Sequence, residues 1–362
     1  MLSPVLLVVY LAVLVSASLK DLANCDPLRK DTNCPPDPAF AGKAKFDFAA
    51  ARWDDNFNRF WAIDNDTAHD QRRLNFKTDG KGLAMSVHKA GDAPTLTSHK
   101  YLLFGKVSVT LKAAKGPGVI TALVLKSDSG DEIDWVNFPN DVVQAELLGA
   151  YDNQAASNYF YDGKALFNTY NTTYRLNTSS FDDYHTYGIE WTPDRLVFSI
   201  DGQARRTWRS GEIPPGRWPQ TPMHVKVGVW AVAKGGDAGE IAWAGGVPDW
   251  KRGPFTAHFA ALDVEDHMGG CSRAEGPVRY EYNERTWGWQ HVLVDGCTER
   301  VAGADLASPR GSAGSKPSKT AHSGHGQPEP SGTSEAQDDA AATPRLSSPL
   351  AAVLCLCWLL IL

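Results

Sequence analysis

Apolar and polar residues alternate through the central part of this chain, and no long stretch carries helical spacing. The segment Phe104-Gly105-Lys106-Val107-Ser108-Val109-Thr110-Leu111-Lys112 alternates cleanly and predicts a half-buried strand. Residues 83–88 alternate in part, and residues 119–126 form a largely apolar run. Thr186-Tyr187-Gly188-Ile189-Glu190-Trp191 and Arg195-Leu196-Val197-Phe198-Ser199-Ile200 flank Thr192-Pro193-Asp194, a hairpin turn, and Asp201-Gly202 predicts the next turn. Further strands are predicted over residues 223–232, 240–243 and 255–264. Many short strands punctuated by turns predict an all-β sandwich.

The ends depart from this pattern. Residues 6–15 are apolar and are followed by Ser16, Ala17 and Ser18, which predicts a secretory signal over residues 1–18, cleaved near Ala17 or Ser18. Residues 302–347 are rich in Ser, Gly, Pro, Ala and Thr and cannot build a core, so a stalk is expected over 301–347. Residues 348–362 end in an apolar run behind Asp338-Asp339-Ala340-Ala341-Ala342, the order of a glycolipid (GPI) anchor signal. A membrane helix is the other reading, but the run is shorter than the roughly 20 residues a span needs. One body, residues 19–300, is left as the folded domain.

Composition narrows the chemistry. The net charge is −6 without a basic patch or tail, which argues against nucleic acid, and no Gly-rich phosphate loop follows a strand. Six cysteines fall into neighbouring pairs, and secretion predicts disulfides Cys25–Cys34 and Cys271–Cys297. Cys355 and Cys357 lie in the tail that anchoring would remove. The cysteines have no histidine cluster beside them, so neither a metal nor a cofactor is expected. Asn65, Asn171 and Asn177 head Asn-x-Ser/Thr sequons. The body is expected to be a monomer.

The run Gly130-Asp131-Glu132-Ile133-Asp134-Trp135 carries the strongest chemical signal. Alternation puts Glu132 and Asp134 on one strand face. Two close carboxylates push one pKa up, the division of labour that glycoside hydrolysis requires. Glu-x-Asp by itself also fits a solvated acidic strand. The 12 tryptophans suit stacking on sugar rings as well as a sandwich core.

Several segments together resemble glycoside hydrolase family 16, and within it the fungal Crh branch of cell-wall transglycosylases. They are Cys25-x8-Cys34-Pro35-Pro36-Asp37-Pro38-Ala39, Lys100-Tyr101-Leu102-Leu103-Phe104-Gly105-Lys106, Gly116-Pro117-Gly118-Val119-Ile120 and the His185 to Asp194 hairpin. Pro219-Gln220-Thr221-Pro222-Met223, Gly228-Val229-Trp230 and Ile241-Ala242-Trp243-Ala244-Gly245-Gly246 extend the resemblance to about residues 25–265. It implies a jelly-roll sandwich of two antiparallel curved sheets with a concave glycan-binding cleft. It also implies a retaining mechanism on β-linked polysaccharide, in which a chitin-type donor is cut and passed to a glucan or chitin acceptor.

The family motif is Glu-x-Asp-x-Glu: nucleophile, assisting Asp, acid/base. The resemblance assigns Glu132 and Asp134 to the first two roles, but the third place holds Val136, and the bulged alternative holds Asn137. Glu146-Leu147-Leu148-Gly149, followed by Ala156-Ser157-Asn158-Tyr159-Phe160, matches the family's continuation after its acid/base. Residues 136–145 then read as an insertion, with Glu146 as candidate acid/base. The resemblance further assigns glycan contacts to Lys226, Trp230 and the place held by Glu240, with Asn158 and Tyr159 as additional contacts. Three readings stay open: a GPI-anchored wall glycosidase/transglycosylase, a non-catalytic glycan-binding wall protein, and a plain β-glucan hydrolase.

Overall fold

The computed structural model describes residues 25–28, 34–52, 54–63, 74–77, 80–137, 153–164, 169–283, 286 and 288–300. The strands, numbered along the chain, form three antiparallel sheets. The seven-stranded sheet has the spatial order β11 (Thr172–Arg175), β10 (Gln154–Phe160), β9 (Glu132–Asn137), β8 (Val119–Ser127), β15 (Met223–Ala231), β6 (Thr95–Leu102), β3 (Trp61–Ile63). The eight-stranded sheet has β14 (Gln203–Arg209), β13 (Arg195–Ile200), β12 (His185–Trp191), β7 (Gly105–Lys112), β16 (Phe255–Asp266), β5 (Gly82–Val87) and β4 (Leu74–Lys77) in sequence, with β2 (Lys43–Asp47) also paired to β16. A small third sheet joins β1 (Asp37–Pro38), β17 (Cys271–Glu281) and β18 (Leu293–Arg300).

The two large sheets pack face to face as a jelly-roll sandwich, and the alternation in each strand decides what lies between them. In β7 the residues Val107, Val109 and Leu111 are buried, while Lys106 points outward. Strand β8 is buried at nearly every position because it sits in the middle of its sheet. Trp135 of β9 crosses the gap: its indole N–H donates to Gly188 O of β12 at 2.8 Å, and Tyr174, Tyr187 and Phe198 surround its ring. At the edge, β14 is almost wholly exposed and carries Arg205, Arg206 and Arg209 in place of apolar residues, which suits an unpaired edge.

Asp266, at the end of β16, ties the third sheet to the sandwich. Its buried carboxylate accepts from Tyr280 Oη of β17 and from the backbone N–H groups of Ala41, Leu103 and Met268. Cys271 is bonded to Cys297 across β17 and β18, and Cys25 to Cys34 near the N-terminus. Asn171 and Asn177 are exposed, while Asn65 lies outside the described residues. No helix among the described residues is long and apolar enough to cross a membrane.

One predicted strand is a helix. Residues Ala238–Trp243 form a short α-helix, whose N-cap Asp237 accepts from the Glu240 N–H at 2.9 Å. The stretch from Glu240 to Trp243 is too short for alternation to separate strand from helix. Asp237 three residues before Glu240 is the spacing of a capping box and outweighs the pattern.

Candidate active site

Ile133 and Trp135 of β9 point into the core, so Glu132 and Asp134 face the opposite side of the seven-stranded sheet. Their strand is fixed at both ends. Trp135 anchors one end, as above. At the other, the fully buried Asp131 accepts from Asp162 N at 2.9 Å, Gln220 N at 2.8 Å, Thr221 N at 3.1 Å and Thr221 Oγ1 at 2.7 Å. Gly130, in the turn before β9, has φ +88°, and a Cβ there would lie 2.5 Å from Gly163 N. Glycine is required by both the backbone conformation and the close approach.

The register lays out the face row by row. One row contains Phe160 of β10, Glu132, Lys126 of β8, His224 of β15 and Tyr101 of β6. The next contains Asn158, Asp134, Val124, Lys226 and Thr97. Although they lie on the outer face, Glu132 is only 7% and Asp134 only 6% exposed. Lys126 Nζ forms an ion pair with Glu132 Oε2. Burial first, and then the charge of Glu132, pushes the Asp134 carboxyl well above the usual carboxylate range, while Lys126 draws it partly back. Asp134 Oδ1 and Asn158 Oδ1 are buried side by side with no hydrogen-bond partner among the described residues. Asp134 is thus the member of the pair whose surroundings favour the protonated form.

Further along, Trp230 of β15 stacks on Trp243 of the short helix, with ring centroids 6.1 Å apart and planes 19° from parallel. The helix is held by Gly118 N–H on Ala244 O and by Val232 N–H on Gly118 O. Gly118 has φ +70°, and a Cβ there would meet Gly246 O at 2.6 Å. The glycines of the 116–118 and 244–246 segments thus seat the helix and its tryptophan. His224 and Trp230 lie six positions apart on β15, roughly 20 Å of strand.

The structure brings Glu132, Asp134, Asn158 and Lys226 onto one face of one sheet, with Trp230 on the same strand as Lys226. Glu240 is half-buried in the first turn of the helix, and burial, then Asp237, raises its carboxyl. Tyr159 is not on the outer face. It alternates with Asn158 into the core, is fully buried, and stacks on Tyr170 at 4.2 Å. It supports the sheet and does not line the face. Glu146 lies outside the described residues. Sequence reasoning missed Lys126 and Trp243. Lys126 is the sole charged residue in the apolar run 119–126, and Trp243 belongs to a quoted motif without a role.

The family Glycosyl hydrolases family 16 matches residues 60–245. The chain belongs to glycosyl hydrolase family 16. Within the family it is similar to Crh-like protein 4 of Aspergillus fumigatus, 36% identical over 75% of this chain and 53% of that protein. It is also similar to Crh-like protein 5 of Aspergillus fumigatus, 35% identical over 80% of this chain and 66% of that one. The chain thus spans between half and two thirds of the length of these two family 16 relatives. A solved structure, "Apo Crh5 transglycosylase", is 31% identical with a TM-score of 0.61, covering 75% of this chain and 100% of its own. The same protein has been solved "in complex with NAG" with the same scores.

Proposed function

We propose that the protein is a retaining transglycosylase that cuts chitin-type chains and passes them to glucan or chitin acceptors, cross-linking a fungal wall. The observation that carries this reading is the carboxylate pair on the outer sheet face: Glu132 ion-paired with Lys126, and Asp134 buried beside it with its carboxyl raised by that burial. Glu132 is the nucleophile. Its carboxylate attacks the anomeric carbon while the glycosidic bond breaks and the leaving oxygen takes a proton from Glu146, the acid/base. An acceptor hydroxyl then attacks the same carbon, gives its proton back to Glu146 and releases Glu132. Asp134 donates a hydrogen bond to Glu132 and holds its orientation. Lys226 and Asn158 contact the glycan beside the pair, and Trp230 with Glu240 further along. The similar Crh5 transglycosylase solved with NAG supports a chitin-type donor.

The mature protein is read as residues 19–300 on a stalk, secreted, N-glycosylated and held outside the cell by a GPI anchor that replaces residues 348–362. Release by a phospholipase that cleaves GPI anchors tests this, and retention would refute it.

One observation favours a second reading. Val136 occupies the place of the family's acid/base, and general acid help contributes roughly 100- to 10,000-fold. A protein lacking that carboxyl would bind glycan without turning it over. Incubating the secreted protein with chitin oligomers and a labelled glucan acceptor separates the readings. Labelled hybrid product that is lost in Glu132→Gln supports the transglycosylase. Released sugar without hybrid product supports a hydrolase. Binding without either supports the glycan-binding protein.

A further inference from the structure

We propose that Lys126 is a positioning residue that assigns the proton within the carboxylate pair: its ammonium holds Glu132 ionised and leaves the shared proton on Asp134. This rests on the reading of Glu132 as nucleophile.

The geometry sets this ion pair apart. Lys126 and Glu132 are direct cross-strand partners on β8 and β9. Two cross-strand pairs on the eight-stranded sheet face solvent by contrast: the side chains of Lys43–Glu265 are 72% and 36% exposed, and those of Lys45–Asp263 79% and 51%. Such pairs are largely screened. Lys126 and Glu132 are 27% and 9% exposed, and a second buried carboxyl stands two residues away. In that setting a cation decides which carboxyl ionises.

The neighbours on each side of Glu132 follow from the register. From β10, Glu132 faces Phe160, which is uncharged. On its own strand the nearest titratable group on that face is Asp134. From β8 it meets Lys126. Beyond Lys126 in the row lies His224 of β15, whose Nδ1 is 2.7 Å from Ser98 O and whose ring lies against that of Tyr101, with centroids 3.8 Å apart and planes tilted by 36°. Lys226 is separated from Asp134 by Val124 in the register. Lys126 is the cation that forms an ion pair with Glu132.

The arrangement has a consequence for the reaction. When Glu132 attacks, a bond forms between its oxygen and the anomeric carbon. The glycosidic C–O bond breaks, and its electron pair leaves on an oxygen that Glu146 protonates. Glu132 is then a neutral ester, and Lys126 has lost its counter-ion. The ion pair is restored when the acceptor hydroxyl, deprotonated by Glu146, takes the anomeric carbon and the ester electron pair returns to Glu132. Lys126 thus favours breakdown of the glycosyl-enzyme over its accumulation.

The test is carboxyl carbon NMR of the full secreted chain labelled at Asp and Glu, with Glu132→Gln and Asp134→Asn used for assignment. In the wild type, Glu132 should be ionised and Asp134 protonated at about pH 5. In Lys126→Gln and Lys126→Met the Glu132 midpoint should rise by about one pH unit or more, and Lys126→Arg should restore it. The acid limb of activity on an aryl chitooligosaccharide should move upward with it, and trapped glycosyl-enzyme should increase. Wild type with Glu132 protonated and Asp134 ionised would overturn the proposal even if no variant folded. So would an unchanged Glu132 midpoint in folded Lys126→Gln. A shifted midpoint in a wild type that never turns over glycan would uphold the proton assignment and sink the catalytic reading instead.

Discussion

Asp131 offers the most direct test of how the sequence places Glu132. Its carboxylate is 1% exposed and satisfies four donors: the backbone N–H groups of Asp162, Gln220 and Thr221, and the Thr221 hydroxyl. These come from the turn after β10 and the segment before β15, so one side chain fixes three pieces of chain around the start of β9. Asp131→Ala removes the acceptor of three backbone N–H groups and of the Thr221 hydroxyl, which can still turn to Ser129 Oγ at 2.7 Å, and each donor left buried without a partner costs about 1–3 kcal/mol. Relief of the carboxylate's own burial, together with water entering the vacated space, offsets part of that. The expected net loss is about 4 kcal/mol, or roughly 10 °C in melting temperature for a body of this size. Asp131→Asn keeps one acceptor oxygen and turns its amide toward at least one donor, so it should fall between wild type and Ala. Thermal and urea unfolding by circular dichroism would measure both. A loss under about 1 kcal/mol for Ala, or an Asn variant as unstable as Ala, would refute the claim that these hydrogen bonds hold the strand.

Three further outcomes are expected. Glu146→Gln should abolish turnover of unactivated chitin oligomers yet spare glycosyl-enzyme formation from substrates with good leaving groups, whereas Glu132→Gln should abolish both; equal activity of wild type and Glu146→Gln on chitin oligomers would remove Glu146 from the mechanism. Gly130→Ala forces a side chain into a positive-φ position against Gly163 N and should cost about 1–3 kcal/mol, read as a lower urea midpoint, and an unchanged midpoint would contradict the close approach. Burial pushes the Asp37 carboxyl up to about 7, against the hydrogen bond from Tyr282 that lowers it. Unfolded, it titrates near 3.9, so between about pH 4 and pH 7 the folded protein holds a proton that the unfolded chain has lost, and stability contributed by Asp37 falls as pH rises through that window. The melting temperature of wild type relative to Asp37→Asn should therefore decline from about pH 5 to pH 7, and parallel curves would contradict it.

Much of the site could be read from alternation alone. Glu132 and Asp134 share a face because strands repeat every two residues, and the Thr192-Pro193-Asp194 turn joins β12 to β13 as its chemistry requires. The same rule sends Tyr159 into the core opposite Asn158, which is where the structure has it, away from the face where a glycan contact was expected. The Ala238–Trp243 helix was masked by its apolar residues, although the Asp237 cap was present in the sequence. Lys126 escaped notice because its meaning lies in register, and which residue of β8 faces Glu132 depends on long-range pairing that no local pattern encodes. The third sheet is hidden for the same reason, since β1 pairs with β17 more than two hundred residues later.

The strand order also sets a timetable for biosynthesis. Strand β15 separates β8 from β6 in one sheet, and β16 separates β7 from β5 in the other. Both late strands are interior, so a nascent chain that has not yet emitted residue 223 holds each sheet as two fragments with open edges. Glu132 and Lys126 belong to one fragment, Tyr101 to another, and His224 and Lys226 arrive with the strand that joins them. Glycan-binding geometry is thus assembled all at once, by insertion rather than by growth. Until then the exposed edges invite pairing with other chains, and the non-local closures make the final step slow. C-terminal truncations that remove β15 or β16 should therefore yield aggregates in place of a partially folded body.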